Sequence, residues 1–572
     1  MDKAFDVIVV GSGAGGLAAA ATAALLGARV VVLEKAGQIG GTTATSGGEI
    51  WIPRSHQAIA AGLVDDADAV ETYIRAVAKC GFDAARTRRF IEVAPNALAF
   101  FEQRTHVRYA LMPGSPDYHS DQPGACSGGR SLAAEPFDGR QLGKTFNLVR
   151  KPLENAMIVG GTSVCTRLDM PRLLRAGSRP QDALYAARLV ARSWQDRLAG
   201  FSRGTRMTNG NALVGRLLLT LLEAGVEIRL NHEVTGLCVV NGRVEGVDVR
   251  NAAQVTSLRA SRGVVLAAGG FSHSSAWKTR LFPHVSQGQQ HVSLPPQSNT
   301  GDSIAIAQTA GAGSLRNPDQ PAAWTPVSNV PVGQGRTAPW PHFGDKGKPG
   351  VIAVDWQGRR FVNEADSYHA FVLALLAQSD AGRAAEAWLI ADHRALRAYG
   401  LGAVRPHPWP VRKHLRSGYL LKGETIAALA GRTGLNADTL ERTVAEFNRH
   451  AAEGRDPLFG RGESLFNRRS GDAARAPNPS LAPLIKAPFY ALRVLPGDIG
   501  TFAGLPTDEH ARVLGVTGVP IDGLYAVGND AATLFGGDYP AAGITLGPAL
   551  TFGHIAARHA LGAGWPANTD WT

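Results

Sequence analysis

The chain has 572 residues, 44% hydrophobic and 19% charged, an ordinary globular balance with room for two or three packed domains. Its net charge is +11, but no zinc-finger spacing or RNA-binding signature accompanies that charge, which speaks against nucleic acid as a partner. Cys80, Cys126, Cys165 and Cys238 form no C-x-x-C or metal spacing, so free thiols in a reducing compartment and no metal are expected.

The first element predicted is a strand over Phe5–Val10, apolar and rich in β-branched residues, as suits burial on both faces. Gly11, Gly13 and Gly16 follow as G-x-G-x-x-G. The first allows a tight turn, the second lets backbone approach a pyrophosphate, and the third lets the following helix pack close. An alanine-rich helix runs to Leu26 and Gly27 stops it. The free N–H groups at its start suit phosphate. Arg29–Leu33 is the second strand, and Glu34 at its end lies where ribose hydroxyls would be. The order strand, turn, helix, strand, acid predicts a bound dinucleotide. Because the apolar N-terminal run is this strand, it reads as no signal peptide, and no apolar run reaches membrane-span length. A cytoplasmic protein is expected.

The loop GQIGGTTATSGGEIWIP, residues 37–53, offers N–H and hydroxyl donors as a second cradle for phosphate or a flat ring. Two or three helices are predicted over 60–105, with a break near Gly81. Residues 109–145 read as loop, including GRQLGKT at 139–145, which is one residue short of a phosphate-binding loop. Residues 167–206 hold nine arginines, with only Asp169, Asp182 and Asp196 as acids. Such a stretch is either a basic amphipathic helix for an anionic membrane surface or a solvated helical face. Beyond it come a helix, a hairpin with its turn at 241–243, and an apolar strand RGVVLAAGGF at 262–271. Asp302 starts an alanine-rich helix. Proline and tryptophan then rise from about 314 to 493, as in an inserted domain. Residues 518–530 return to buried-strand character and lead through GGDYPAAG into a long apolar helix that closes the nucleotide domain.

The fingerprint with Glu34 and GGTTATSGG, the strand RGVVLAAGGF, and LYAVGND followed by GITLGPALTFG together resemble FAD-dependent flavoproteins related to fumarate reductase and succinate dehydrogenase. The resemblance covers residues 5–560 and selects FAD over NAD. It implies an α/β fold: a Rossmann-like FAD-binding domain from 1–293 and 494–572, with an inserted α+β catalytic domain at 294–493. It implies FAD contacts at Gly11, Gly13, Ala14, Gly15, Gly16, Glu34, Lys35, Gly41, Thr42, Thr43, Ser46, Gly47 and Gly48, and with no His or Cys near the first turns to mark a covalent link, the FAD is expected to be non-covalent. Further contacts are implied at Val234, Ala268, Gly269, Asn299, Asp302, Gly528, Asn529, Gly543, Thr545 and Leu546.

Soluble fumarate reductases place a catalytic arginine four residues after the glutamate of R-F-V-N-E. Here that position is Tyr368, and the turn before the last helix carries Tyr539. A dicarboxylate needs fixed cations, best supplied by arginine. Phenols suit a neutral, largely apolar ketone. The pattern PDYHSD with Tyr118, NEADSY with Tyr368, and Tyr539-Pro540-Ala541-Ala542-Gly543 resembles the 3-ketosteroid Δ1-dehydrogenases. By that resemblance Tyr539 and the Gly543 N–H hold the 3-oxo oxygen, Tyr368 takes the carbon-2 proton, Tyr118 hydrogen-bonds that base, and hydride leaves carbon 1 for flavin N5. A Δ4 (5α) dehydrogenase and a fumarate-type reductase are the alternatives. The implied partners are a 3-ketosteroid substrate and an electron acceptor such as a quinone. The basic stretch 167–206 is the candidate for peripheral membrane contact.

Overall fold

The computed structural model describes residues 5–316, 320–379 and 383–564. Residues 1–4 and 565–572, which belong to the expected FAD-binding domain, lie outside that range. Strand β1 (Phe5–Val10), helix α1 (Ala14–Leu25) and strand β2 (Val30–Glu34) form the expected opening unit. β1 and β2 are parallel, with Val7 opposite Val30 and Val10 opposite Leu33. Glu227–Leu230 adds beyond β2, and Gln254–Leu266 lies on the other side of β1. The late strand Pro520–Ala526 completes the parallel core beside Val264–Leu266. Its β1, β2 and 264–266 segments are buried on both faces, which is why they read as continuous apolar runs. The hairpin Glu233–Val240 and Arg243–Asn251 extends the sheet antiparallel.

The last helix, Leu546–Ala560, packs on α1 at contact distance. A Cβ added at Gly553 would sit 2.5 Å from the Gly15 carbonyl, so glycine permits the crossing. The two ends of the chain therefore meet around one cleft.

A second, seven-stranded sheet is organised around Phe489–Thr501. It pairs with Ala322–Gly333, Ala387–Ala391, Val292–Ser293 and Leu421–Gly423. Helix Tyr368–Ala377 packs on this sheet. A small sheet of Glu49–Trp51, Ser131–Ala134 and Tyr109–Leu111 lies over the cleft. The mixed α/β class and the helices expected over 60–105 are present, with Ala67–Ala78 and Ala84–Arg104 flanking Gly81.

Three local expectations change. The strand expected over 262–271 spans Gln254–Leu266, because its N-terminal half is recruited by the hairpin. GRQLGKT is not open loop but part of 3₁₀ turns over Gly139–Leu148, broken at Gly143. The basic stretch forms two helices, Met170–Arg175 and Pro180–Leu198. Its three acids each bind arginine: Asp169 takes Arg206, Asp182 takes Arg172 and Arg175, and Asp196 takes Arg140.

Candidate active site

Three glycines of the first turn have separate jobs. Gly11 has φ +104°, and a Cβ there would lie 2.3 Å from the Ala267 carbonyl. A Cβ at Gly16 would lie 2.1 Å from the Gly11 carbonyl, so Gly16 serves packing. Gly13 has only the Thr43 hydroxyl, at 3.7 Å, near its missing Cβ, leaving open space where a pyrophosphate would approach. The Ala14 N–H at the start of α1 donates to Thr43 Oγ1, which ties the second cradle to the helix terminus.

One cleft of about 710 Å³ runs from this turn to the tyrosines. Every residue expected to contact the cofactor lines it except Gly16, whose place is the helix–strand contact. Glu34 is anchored by the Ser12 hydroxyl and the Ala36 N–H. Lys35 pairs with Asp302 and Thr300. Asn299 bridges Thr42 and the Gly269 carbonyl. The donor set fits a dinucleotide: an open glycine turn, a helix N-terminus and an anchored carboxylate line one continuous cleft.

Tyr118, Tyr368, Tyr539 and Gly543 lie together in that cleft. The Tyr368 ring centre is 4.9 Å from Tyr539 and 5.9 Å from Tyr118, close enough for the three phenols to influence one another's charge. Four features of sequence converge to place them. Tyr368 is the first residue of its helix, at the positive end of the dipole, with Ser367 Oγ capping the Ala370 N–H. Tyr118 is held through its N–H by the Pro540 carbonyl, which also accepts from the Tyr73 hydroxyl. The Gly543 carbonyl accepts from Trp51 N–H and Gly547 N–H. With φ +94° and Ile50 carbon 2.3 Å from any Cβ, position 543 admits only glycine.

Burial raises all three phenols, Tyr539 to about 12 and Tyr118 and Tyr368 well above the usual 10. The turn carrying Tyr368 rests on buried charge. Burial would raise the Glu364 carboxyl, but Arg360 and Arg461 hold it down to about 2. The buried Lys346 ammonium donates to the Glu364 and Asp366 carbonyls. On the opposite wall, burial alone would lower His119, but the ion pair with Asp538 at 3.0 Å raises it. The pair ties the Tyr118 loop to the Tyr539 turn.

Sequence reasoning missed the aromatic and acidic walls. The Phe466 ring lies tilted 4.6 Å from that of Tyr118, and the Phe343 ring lies 4.9 Å from that of Tyr368. Neither sits in a motif that could flag it. Glu49 lies inside GGEIWIP and lines the cleft. Burial raises its carboxyl, and Arg167 opposes that only in part. Lys35 is the sole lysine or arginine among the described lining residues, and it is tied to Asp302.

Residues 6–546 match the FAD binding domain family. The chain is 38% identical to a 4-oxocyclohex-2-ene-1-carboxylate 5-dehydrogenase of Sinomonas cyclohexanicum, covering 97% of this chain and 93% of that one. It is 36% identical to a 3-oxosteroid 1-dehydrogenase of Mycobacterium tuberculosis, covering 97% and 98%. Among solved structures, the 3-ketosteroid Δ1-dehydrogenase of Sterolibacterium denitrificans in complex with 1,4-androstadiene-3,17-dione superposes with a TM-score of 0.88 at 35% identity. That match covers 98% of this chain and 100% of that one.

Proposed function

The chain belongs to the FAD binding domain family, and from that premise we propose that it is an FAD-dependent dehydrogenase that introduces the carbon 1–carbon 2 double bond into 3-ketosteroids. The observation that carries this reading is the convergence of three phenols and Gly543 at one end of a dinucleotide cleft, with no free lysine or arginine among the described lining residues to hold an acid. FAD, when bound, supplies the hydride acceptor.

The chain's own residues do the rest. The Tyr539 hydroxyl and the Gly543 N–H donate to the 3-oxo oxygen and stabilise the charge that develops as carbon 2 loses its proton. Such a donor is worth roughly 3–4 kcal/mol. Tyr368 takes that proton as a phenolate. Tyr118, with its ring centre 5.9 Å away, is placed to hydrogen-bond that phenolate, and the helix N-terminus favours its negative charge. Phe343, Phe466, Trp340 and Ile499 provide an apolar wall for a fused-ring skeleton and exclude water.

A 4-oxocyclohex-2-ene-1-carboxylate is the second reading, favoured by the 38% relative. It meets Glu49 in the cleft, and Lys35, the one lysine or arginine among the described lining residues, is already committed to Asp302. A fumarate-type reaction meets the same obstacle, and the Δ4 alternative differs only in which C–H bonds face the flavin. The test is anaerobic addition of a saturated 3-ketosteroid to the flavin-loaded protein. Bleaching of the flavin followed by a 1,2-double bond is expected. Desaturation confined to carbons 4 and 5, or bleaching by the cyclic keto acid alone, overturns the assignment.

The electron acceptor belongs to the quinone class in this reading. The helix Pro180–Leu198 leaves Leu184, Trp194 and Leu198 exposed beside arginines and supports peripheral contact with an anionic bilayer, where such a substrate dissolves. No described helix is long and apolar enough to cross a membrane.

A further inference from the structure

Behind the cofactor cleft lies a small polar cavity of about 40 Å³. By volume it has room for one small ion or a few waters, since a water needs roughly 10–15 Å³ of such space. Its lining includes Arg86, Thr501, Thr507, Thr533, Asn529 and Thr545. Arg86 is 3% exposed and stands in the first turn of helix Ala84–Arg104. Its Nη2 donates to the Ala532 carbonyl at 2.8 Å, and its face lies over the Phe552 ring. Its Nε and Nη1 have no hydrogen-bond partner.

A guanidinium stays charged in proteins, and a buried charge without a partner is costly. The two acids whose charge reaches Arg86 are already engaged: Asp83 pairs with Arg316, and Asp508 pairs with Arg512. Three guanidiniums thus share two carboxylates, and the unmatched one faces the cavity. Burial lowers Arg86 to about 10, as expected of an undercompensated cation. The opposite wall is the start of the last helix at Thr545, the positive end of its dipole, which also favours negative charge.

We propose that this cavity is a binding site for one small monovalent anion of the halide class, held by the two unpartnered donors of Arg86 and by threonine hydroxyls. Val527, Gly528, Asn529, Thr545 and Ala549 line both this cavity and the cofactor cleft, so the ion sits one layer of residues behind the cofactor. It supplies the missing negative charge and closes the contact between the Arg86 helix and the last helix. The site does not depend on the identity of the substrate.

The test uses the flavin-loaded protein crystallised in sodium bromide, with diffraction recorded at the bromine absorption edge. An anomalous peak within hydrogen-bonding distance of Arg86 Nη1 is expected, lost in Arg86→Met. In solution, the melting temperature should climb with the logarithm of bromide concentration in the parent protein and not in Arg86→Met, at matched ionic strength. Should Arg86→Met fail to fold, Thr507→Val keeps the guanidinium and should raise several-fold the bromide concentration needed for the same stabilisation. Water density with no anomalous signal overturns the proposal, as does an identical bromide response in parent and variant.

Discussion

At the scale of single residues, the three buried phenols make the reaction depend on a charge that burial opposes. Tyr368→Phe removes the proposed base while leaving the ring packing, so turnover should fall roughly a hundred- to ten-thousand-fold with flavin content unchanged. Dye-coupled turnover beside flavin absorbance checks this, and retained turnover would take Tyr368 out of the base role. The pH dependence follows from sign. A phenol is neutral below its pKa, and burial raises Tyr539 to about 12 and Tyr368 well above the usual 10, so the phenolate fraction grows with pH. The ratio kcat/KM should therefore rise through the alkaline range, and a flat profile from neutral to pH 10 would speak against a phenolate base. The same raised values mean that the folded state holds these protons more tightly than the unfolded chain. Their contribution to stability is complete below about 10 and declines above it. Melting curves at each pH separate the two effects.

At the scale of elements, the turn before helix Tyr368–Ala377 is the joint between sheet and chemistry. Glu364 accepts from Arg360, Arg461 and the Ala353 N–H, all in the interior. Removing its charge by Glu364→Gln leaves Arg360 with Asp456 and Arg461 without its anion. Breaking a buried network of this kind costs about 3–5 kcal/mol, read as a drop in denaturation midpoint. Because Glu364 titrates near 2 rather than 4.5, its contribution is present above about 4.5 and is lost as pH falls towards 2. The parent protein should thus lose more stability on acidification than Glu364→Gln. The basic helices belong to this scale too. With Arg172 and Arg175 bound to Asp182, and Arg206 to Asp169, fewer arginines are available to lipid than the sequence advertises. Binding to vesicles containing anionic lipid should be weak, should vanish at high salt, and should fall further in Trp194→Ala. Salt-resistant binding would contradict this reading.

At the scale of the whole molecule, the active end of the cleft exists only because segments far apart in sequence meet. Tyr118 comes from a loop, Tyr368 from the helix on the second sheet, and Tyr539 and Gly543 from the turn before the last helix. The His119–Asp538 pair and the Pro540 carbonyl, with its two donors, join these segments. Loss of His119 in His119→Ala should loosen the loop that holds Tyr118. A several-fold rise in KM for the steroid is expected with smaller change in kcat, since neither proposed oxyanion donor is altered.

By itself the sequence determined the nucleotide half of this protein. A parallel buried strand, a glycine turn and a following helix are local arrangements, and Gly16, for one, is required by the Gly11 carbonyl close by in the chain. Motif spacing likewise singled out Tyr368 and Tyr539, which line one cleft. Only the tertiary structure decided what surrounds them. Phe343, Phe466 and Glu49 became walls because distant elements fold onto the cleft. The arginines of 167–206 found acids within and beyond their own helices, and Arg86 was left without one. Those outcomes depend on which buried charges end up adjacent, a property of packing that no local pattern of residues records.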